Sequence, residues 1–224
     1  MRDEIAGGEA AGDEGFDGAP TWRATRTLRD GTVLTIRPIT PEDREELRRE
    51  FQRASPQTRY LRFLGVVGEL SDAMLTYLTC VDQKDHVALV ASVVSPDLKT
   101  ERGVAVARLI RLAGAADVAE AAITDVDDMQ RRGIGAILAL EIERAARVRG
   151  ILHIRADVLQ GNAAMRAILE TAGATRVDSG DAADSAGTFS YDITLEPRRR
   201  EPDGRSRLVE VLRGVAQTIR DFTP

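Results

Sequence analysis

The sequence predicts a mixed α/β domain built in layers, and three observations predict it. Apolar runs of strand length recur along the chain, separated by segments with helical spacing. Capping and turn residues fall at the joints between them. Hydrophobic residues make up 43% and charged residues 30% of 224 residues, enough apolar material for one sizeable core.

The first element is a hairpin. TRTLRDGTVLTIRPI holds two alternating runs around Asp30-Gly31, a tight-turn dipeptide. Thr40 then reads as an N-cap with Pro41 at the first helical position, and Leu47 and Phe51, one turn apart, face the core. Ser55-Pro56 opens a second helix and Ser71 caps a third. His86 to Val94 is a continuous apolar run, the pattern of a strand covered on both faces. Strands follow at Gly103 to Leu112 and Val118 to Thr124. A helix runs from about Gly135 to Arg149 and ends at Gly150. A strand at Ile151 to Leu159, a helix at Ala163 to Ala172 and two strands near Ala174–Val177 and Thr188–Leu195 complete the domain. Tyr60, Tyr77 and Cys80 read as core residues, and His86 and His153 as structural residues of the sheet.

The ends differ from this middle. Residues 1–21 are acidic, rich in Gly and Ala, and non-periodic, which reads as a disordered tail. Residues 197–224 begin with three arginines, a solvated linker in the plainest reading. Leu208, Leu212, Val215, Ile219 and Phe222 then form a narrow helical seam. That seam suits a homodimer contact or docking on the chain's own domain.

Composition narrows the function. Cys80 is the single cysteine and His86 and His153 the two histidines, so neither a disulfide nor a Cys- or His-based metal centre is expected. A net charge of −5 argues against general nucleic-acid binding. No apolar run reaches the ~20 residues of a membrane span, and the N-terminus lacks a signal-peptide pattern, so a cytoplasmic protein is expected. Lys84 and Lys99 are the only lysines. A GC-rich genome accounts for that, as does a lysine-modifying enzyme that spares itself.

The segment most informative about chemistry is Asp127 to Ala136, which follows a strand and opens a helix. The first amides of a helix have no intrahelical partner, and the dipole places about half a positive charge there. Phosphates bind such ends. Glycines at 133 and 135 let backbone approach an anion, and Arg131 and Arg132 add positive charge. The segment is no dinucleotide fingerprint, because Leu138 stands where a third glycine belongs, and no P-loop, because no Gly-Lys-Ser/Thr follows.

Gln130-x-x-Gly133-x-Gly135 resembles the coenzyme A pyrophosphate motif, Q/R-x-x-G-x-G/A, of the GNAT acetyltransferase superfamily, and the order of elements from Arg23 to Leu195 is similar to that fold. The resemblance implies a central mixed sheet of about six to seven strands flanked by helices, across residues 22–196. LRDGTVLTIRPITPED, SPQTRYLRFLG, VDQKDHVALVA, AEAAITDVDDMQRRGIG and VLQGNAAMRAIL look like segments of the bacterial Pat-type protein lysine acetyltransferases. That narrower resemblance implies acetyl-CoA as donor and a protein lysine as acceptor. A small-molecule amine acceptor, or a regulatory module that binds acyl-CoA without turnover, are the alternatives.

Site residues follow from the resemblance. Gln130, Arg131, Arg132, Gly133, Ile134, Gly135 and Ala136 would bind the pyrophosphate, the backbone of Ala122, Ile123 and Thr124 the pantetheine arm, and Asn162 matches the family's asparagine near the cofactor. Glu120 is a carboxylate in an otherwise apolar strand, where a solvent-facing or arginine-paired residue is the plain reading. The resemblance makes it the general base. Three positions depart from the family: Arg131 replaces its usual first glycine, Leu169 its acid tyrosine, and Ala174 its phenylalanine.

Overall fold

The run His86–Val94 forms a strand buried on both faces: Val87, Ala88, Leu89 and Ala91 are all inaccessible to solvent. A computed structural model describes residues 21–63, 67–94, 101–161, 163–171, 173–177 and 187–195. The expectations for the acidic tail, Asn162 and the C-terminal seam lie outside the described residues.

The elements, in chain order, are β1 (Ala24–Thr27), β2 (Val33–Pro38), α1 (Arg44–Arg53), α2 (Pro56–Phe63), α3 (Asp72–Thr79), β3 (His86–Val94), β4 (Glu101–Arg111), β5 (Val118–Asp125), α4 (Ile134–Val148), β6 (His153–Leu159), α5 (Ala163–Thr171), β7 (Thr175–Val177) and β8 (Thr188–Thr194). The strands form a single sheet in the order β1-β2-β3-β4-β5-β6-β8-β7. Eight strands among the described residues exceed the six to seven expected, since the short β1 and β7 both pair at its edges. All neighbours run antiparallel except β5 and β6, which are parallel because α4 crosses between them.

The expected punctuation is in place. Gly31 takes a φ of +85° in the β1–β2 turn. Thr40 and Asp43 form a capping box, with the Thr40 amide donating to Asp43 Oδ2 at 2.8 Å. Arg37 grips the same carboxylate with two bonds of 2.7 and 2.8 Å, and holds its pKa down against the cost of burial. Ser71 Oγ accepts the Met74 amide and caps α3.

The two faces of the sheet are covered differently. On one, α4 lays Leu138, Ile142, Ala145 and Ala146 against β3, β4 and β5, all without solvent exposure. Burying a side chain such as Ile142 stabilises by roughly 1.5–3 kcal/mol. On the other, Phe51, Leu70, Leu75 and Leu78 make a smaller cluster among α1, α3 and the segment before α3. The expected core role fails for three residues: Tyr60, Tyr77 and Cys80 are exposed. Tyr60 lies at the surface of α2, Tyr77 on the outer side of α3 and Cys80 just past its end; Tyr77 packs its ring against His86 at 5.1 Å.

Candidate active site

Strand β5 is the spine of the site, and its alternation assigns its residues to two faces. Ala119, Ala121 and Ile123 pack into the core beneath α4. Asp125 continues that row toward the first turn of α4. Glu120, Ala122 and Thr124 take the opposite face, where Thr124 helps line a cavity of about 120 Å³ between the sheet and helices α1 and α2.

The two parallel strands then part. Pairing of β5 with β6 covers Val118–Glu120 against His153–Arg155 and goes no further. Beyond that point β5 stays with β4 as far as Asp125, and β6 stays with β8 as far as Leu159. The edge of β5 from Ala121 to Asp125 therefore faces a widening slot. Glu120 is exposed and occupies the last paired position, opposite Ile110 of β4 and Arg155 of β6. Arg155 is committed to Asp192 through two bonds of 2.7 and 2.8 Å.

At the far end of β5 the chain makes a single 3-10 turn at Asp127–Met129 and enters α4 through Gln130–Gly133. Gly133 is the N-cap, with φ +90° and ψ 5°, and no side chain caps the helix there. An added Cβ at Gly133 would meet nothing within 4 Å, so the glycine is required by its backbone angle and not by crowding. Gly135 differs. A Cβ there would point inward, 3.6 Å from Asp125 Oδ2 and 3.9 Å from an Ile123 methyl. Its smallness serves the approach of helix to strand.

The remaining loop residues divide between binding and bracing. Arg131 is exposed and holds a φ of +62°, the left-handed conformation that the family's glycine would adopt without cost. Arg132 turns away from the helix end toward the β1–β2 hairpin: it ion-pairs with Asp30, donates to Thr32 Oγ1 at 2.9 Å, and holds Asp30's carboxyl down to about 2. Gln130 Nε2 donates to Asp127 Oδ1 at 3.2 Å. Asp127 in turn accepts from the Ser55 amide and Thr58 Oγ1, both at 2.6 Å, and ties the start of α2 to the loop. Ile134 is fully buried and pins the first turn of α4, with Ala136 packed beside it.

The loop thus offers backbone amides at an uncapped helix start, and the slot offers a strand edge. A diphosphate with a long, amide-bearing arm fits that pair of features. Ala122, Ile123, Thr124 and Gln130 to Ala136 are contiguous along one path from slot to helix, with Glu120 at its closed end. At the position of the family's acid tyrosine, Leu169 is 2% exposed and buried in the core.

Asp125 was not among the expected site residues. Its Oδ2 lies 3.6 Å from where a Gly135 Cβ would stand, and its Oδ1 is sealed from solvent without a hydrogen bond among the described residues. Burial pushes its pKa up to about 6, against the smaller lowering effect of the nearby Gly135 amide. The signal was available: Asp125, like Glu120, is a carboxylate in an apolar strand, five residues on and hence on the other face.

No family model matches the chain. It is 35% identical over 142 residues to the acetyltransferase PA5475 of Pseudomonas aeruginosa, covering 62% of this chain and 74% of that protein. It is 35% identical over 150 residues to the acetyltransferase Pat of Mycolicibacterium smegmatis, covering 67% of this chain but only 44% of that longer protein. Among solved structures, the GNAT domain of S. lividans PAT superposes with a TM-score of 0.65 at 30% identity, over 78% of this chain and 97% of that domain. The chain belongs to the GNAT superfamily and is an acyltransferase. Within that superfamily it is similar to the catalytic domain of the Pat-type enzymes.

Proposed function

We propose that this enzyme transfers an acetyl group from acetyl-CoA to a protein lysine side chain by direct attack, with Glu120 as general base. One observation carries the reading: β5 and β6 separate immediately after Glu120, so the carboxylate stands where a slot for the thioester arm begins.

Acetyl-CoA, when bound, supplies the acetyl group as a thioester. The amides at the start of α4 and the exposed Arg131 would hold its diphosphate, and the free edge of Ala122–Thr124 its arm. A lysine amine has a pKa of ~10.4, so only about one in 2,500 is neutral at pH 7. Glu120 takes the proton that the amine must lose, directly or through a water, and a base so placed is worth roughly 10²–10⁴ in rate. A backbone N–H of the β5 edge would donate to the carbonyl oxygen as negative charge grows there. With Leu169 at the tyrosine position, no side chain there donates a proton to the leaving thiolate; it departs as the anion or takes its proton from water.

A small-amine acceptor calls for a closed pocket with carboxylates available to bind it. The cavity beside Thr124 does contain Asp43, Glu46 and Glu50. Each is already engaged: Asp43 by Arg37, Glu46 by the Gly103 amide at 2.6 Å, and Glu50 by Arg53 and Arg102. That favours a lysine presented from outside at the exposed Glu120, in a cytoplasmic protein substrate. The test is transfer from labelled acetyl-CoA into a cognate lysate, read by mass spectrometry. Acetyl-lysine on discrete proteins supports the reading. Labelled small amines with no labelled protein refute the acceptor, and tight binding with no transfer to any amine refutes catalysis.

A further inference from the structure

Asp125 places a carboxylate at the helix end that the proposed function assigns to a diphosphate. The carboxyl reaches the start of α4 from beneath, through β5, and lies against Gly135, its Oδ2 3.6 Å and its Oδ1 3.9 Å from where a Cβ would stand. An incoming anion would reach the same turn from the loop side. Two like charges would then share one helix terminus, with Oδ1 of the inner one already cut off from water.

We propose that Asp125 sets the affinity and the proton balance of cofactor binding: a diphosphate seated at the head of α4 drives a proton onto the Asp125 carboxyl group. The inference rests on the diphosphate assignment made above. Protonation keeps the side chain's shape, removes the repulsion, and leaves one carboxyl oxygen facing Gly135. The arrangement is peculiar to a chain with an acid at this position. It makes the last residue of β5 a determinant of cofactor affinity without any contact to the thioester.

Among the described residues, the other ionisable groups around this turn are engaged elsewhere or exposed. On the loop, Asp127 is held below the usual carboxylate range by Thr58, and Asp128 by Arg102. Arg132 is bound to Asp30, and Arg131 is exposed on the outer side. From α1 and β4, Glu46 accepts the Gly103 amide, Glu50 pairs with Arg53 and Arg102, and Arg108 donates to Leu78 O at 2.7 Å. From α2, Arg59 lies over the Phe51 ring. The first turn of α4 carries no acid. Among the described residues no cation shifts the pKa of Asp125; burial raises it and the nearby Gly135 amide partly offsets this.

The direction and size follow. With a pKa of about 6 in the free protein, roughly one-tenth of Asp125 is protonated at pH 7. A rise of about one unit on binding brings that to about half, an uptake of ~0.4 proton per ligand. Affinity then strengthens roughly sevenfold between pH 8 and pH 5.5. The probe is dephospho-coenzyme A, which keeps the diphosphate and lacks the 3′-phosphate that itself titrates near pH 6. Calorimetry at pH 7 in two buffers of different ionisation heat reads proton uptake on the wild-type protein alone, and Asp125→Asn repeats it with an isosteric neutral side chain. Uptake in the wild type and its loss in the variant support the inference. Heats independent of buffer, or the same uptake in Asp125→Asn, overturn it while leaving the diphosphate site standing. No binding to either protein at any pH overturns the diphosphate site, and this inference with it.

Discussion

Replacing Asp125 with asparagine is expected to stabilise the unliganded protein at neutral pH. The carboxyl of Asp125 has an ordinary pKa of 3.8 and is pushed up by burial to about 6. A shift of about two units corresponds to on the order of 3 kcal/mol of preference for the protonated form in the fold. The sign follows from the folded value lying above the unfolded one. The associated stability is fully present below about pH 4, is lost as pH rises through about 6, and is absent at pH 7.5. Asparagine stays neutral, and its Oδ1 can still face the Gly135 amide. Against this gain stand the lost attraction of a negative charge to the helix start, about 0.3–1 kcal/mol, and an NH₂ group placed where Oδ1 has no partner. A net gain of about 1–2 kcal/mol at pH 7.5 remains. At about 2–4 °C per kcal/mol for a chain of this size, Tm rises by roughly 2–8 °C. Thermal unfolding of both proteins at pH 7.5 and pH 4.5 is the assay, with the advantage of the variant shrinking at the lower pH. A variant less stable than wild type at pH 7.5, or an advantage equal at both pH values, refutes the account of a buried, costly carboxylate.

Three further substitutions probe the strand, the loop and the helix start. Glu120→Gln should lower kcat at least ~10²-fold, with the dissociation constant for acetyl-CoA nearly unchanged; steady-state kinetics beside calorimetry decide it, and unaltered turnover removes Glu120 from the mechanism. Gly133→Ala meets no clash but must hold φ +90°, so it should cost about 1–2 kcal/mol and lower Tm by roughly 2–8 °C; an unchanged Tm would mean that the turn relaxes freely. Gly135→Glu should abolish binding of dephospho-coenzyme A, because its Cβ starts 3.6 Å from Asp125 Oδ2 and adds a second carboxylate to the helix end; wild-type affinity in calorimetry would show that no anion sits there.

What the sequence revealed and what it withheld divide by the range of the interaction. The Asp30-Gly31 turn, the Thr40 and Ser71 caps and the Gly150 stop are local chemistry, set within about four residues, and each stands where the sequence placed it. The slot is not local. It exists because β6 abandons β5 after Arg155 while holding β8 along its whole length, and β8 is some thirty residues further down the chain. Only the family resemblance, which assigned the cofactor's arm to the backbone of Ala122–Thr124, pointed to this edge. Arg132 shows the same limit: its charge suited a phosphate, yet Asp30 claims it from a hundred residues away.

Asp125 is the most instructive case, because both halves of its role were in the sequence and nothing local joined them. Alternation along β5 puts Glu120 and Asp125 on opposite faces, so one carboxylate goes to the mouth of the slot and the other under α4. Glycine at 135, read as letting the backbone approach an anion, in the fold also leaves room for Asp125. The helix start reads as a seat for negative charge, and in the fold a carboxylate of the chain's own already lies beneath it. An anion arriving there meets a terminus partly neutralised in advance. Its affinity therefore depends on whether Asp125 is protonated as much as on the glycines that shape the turn.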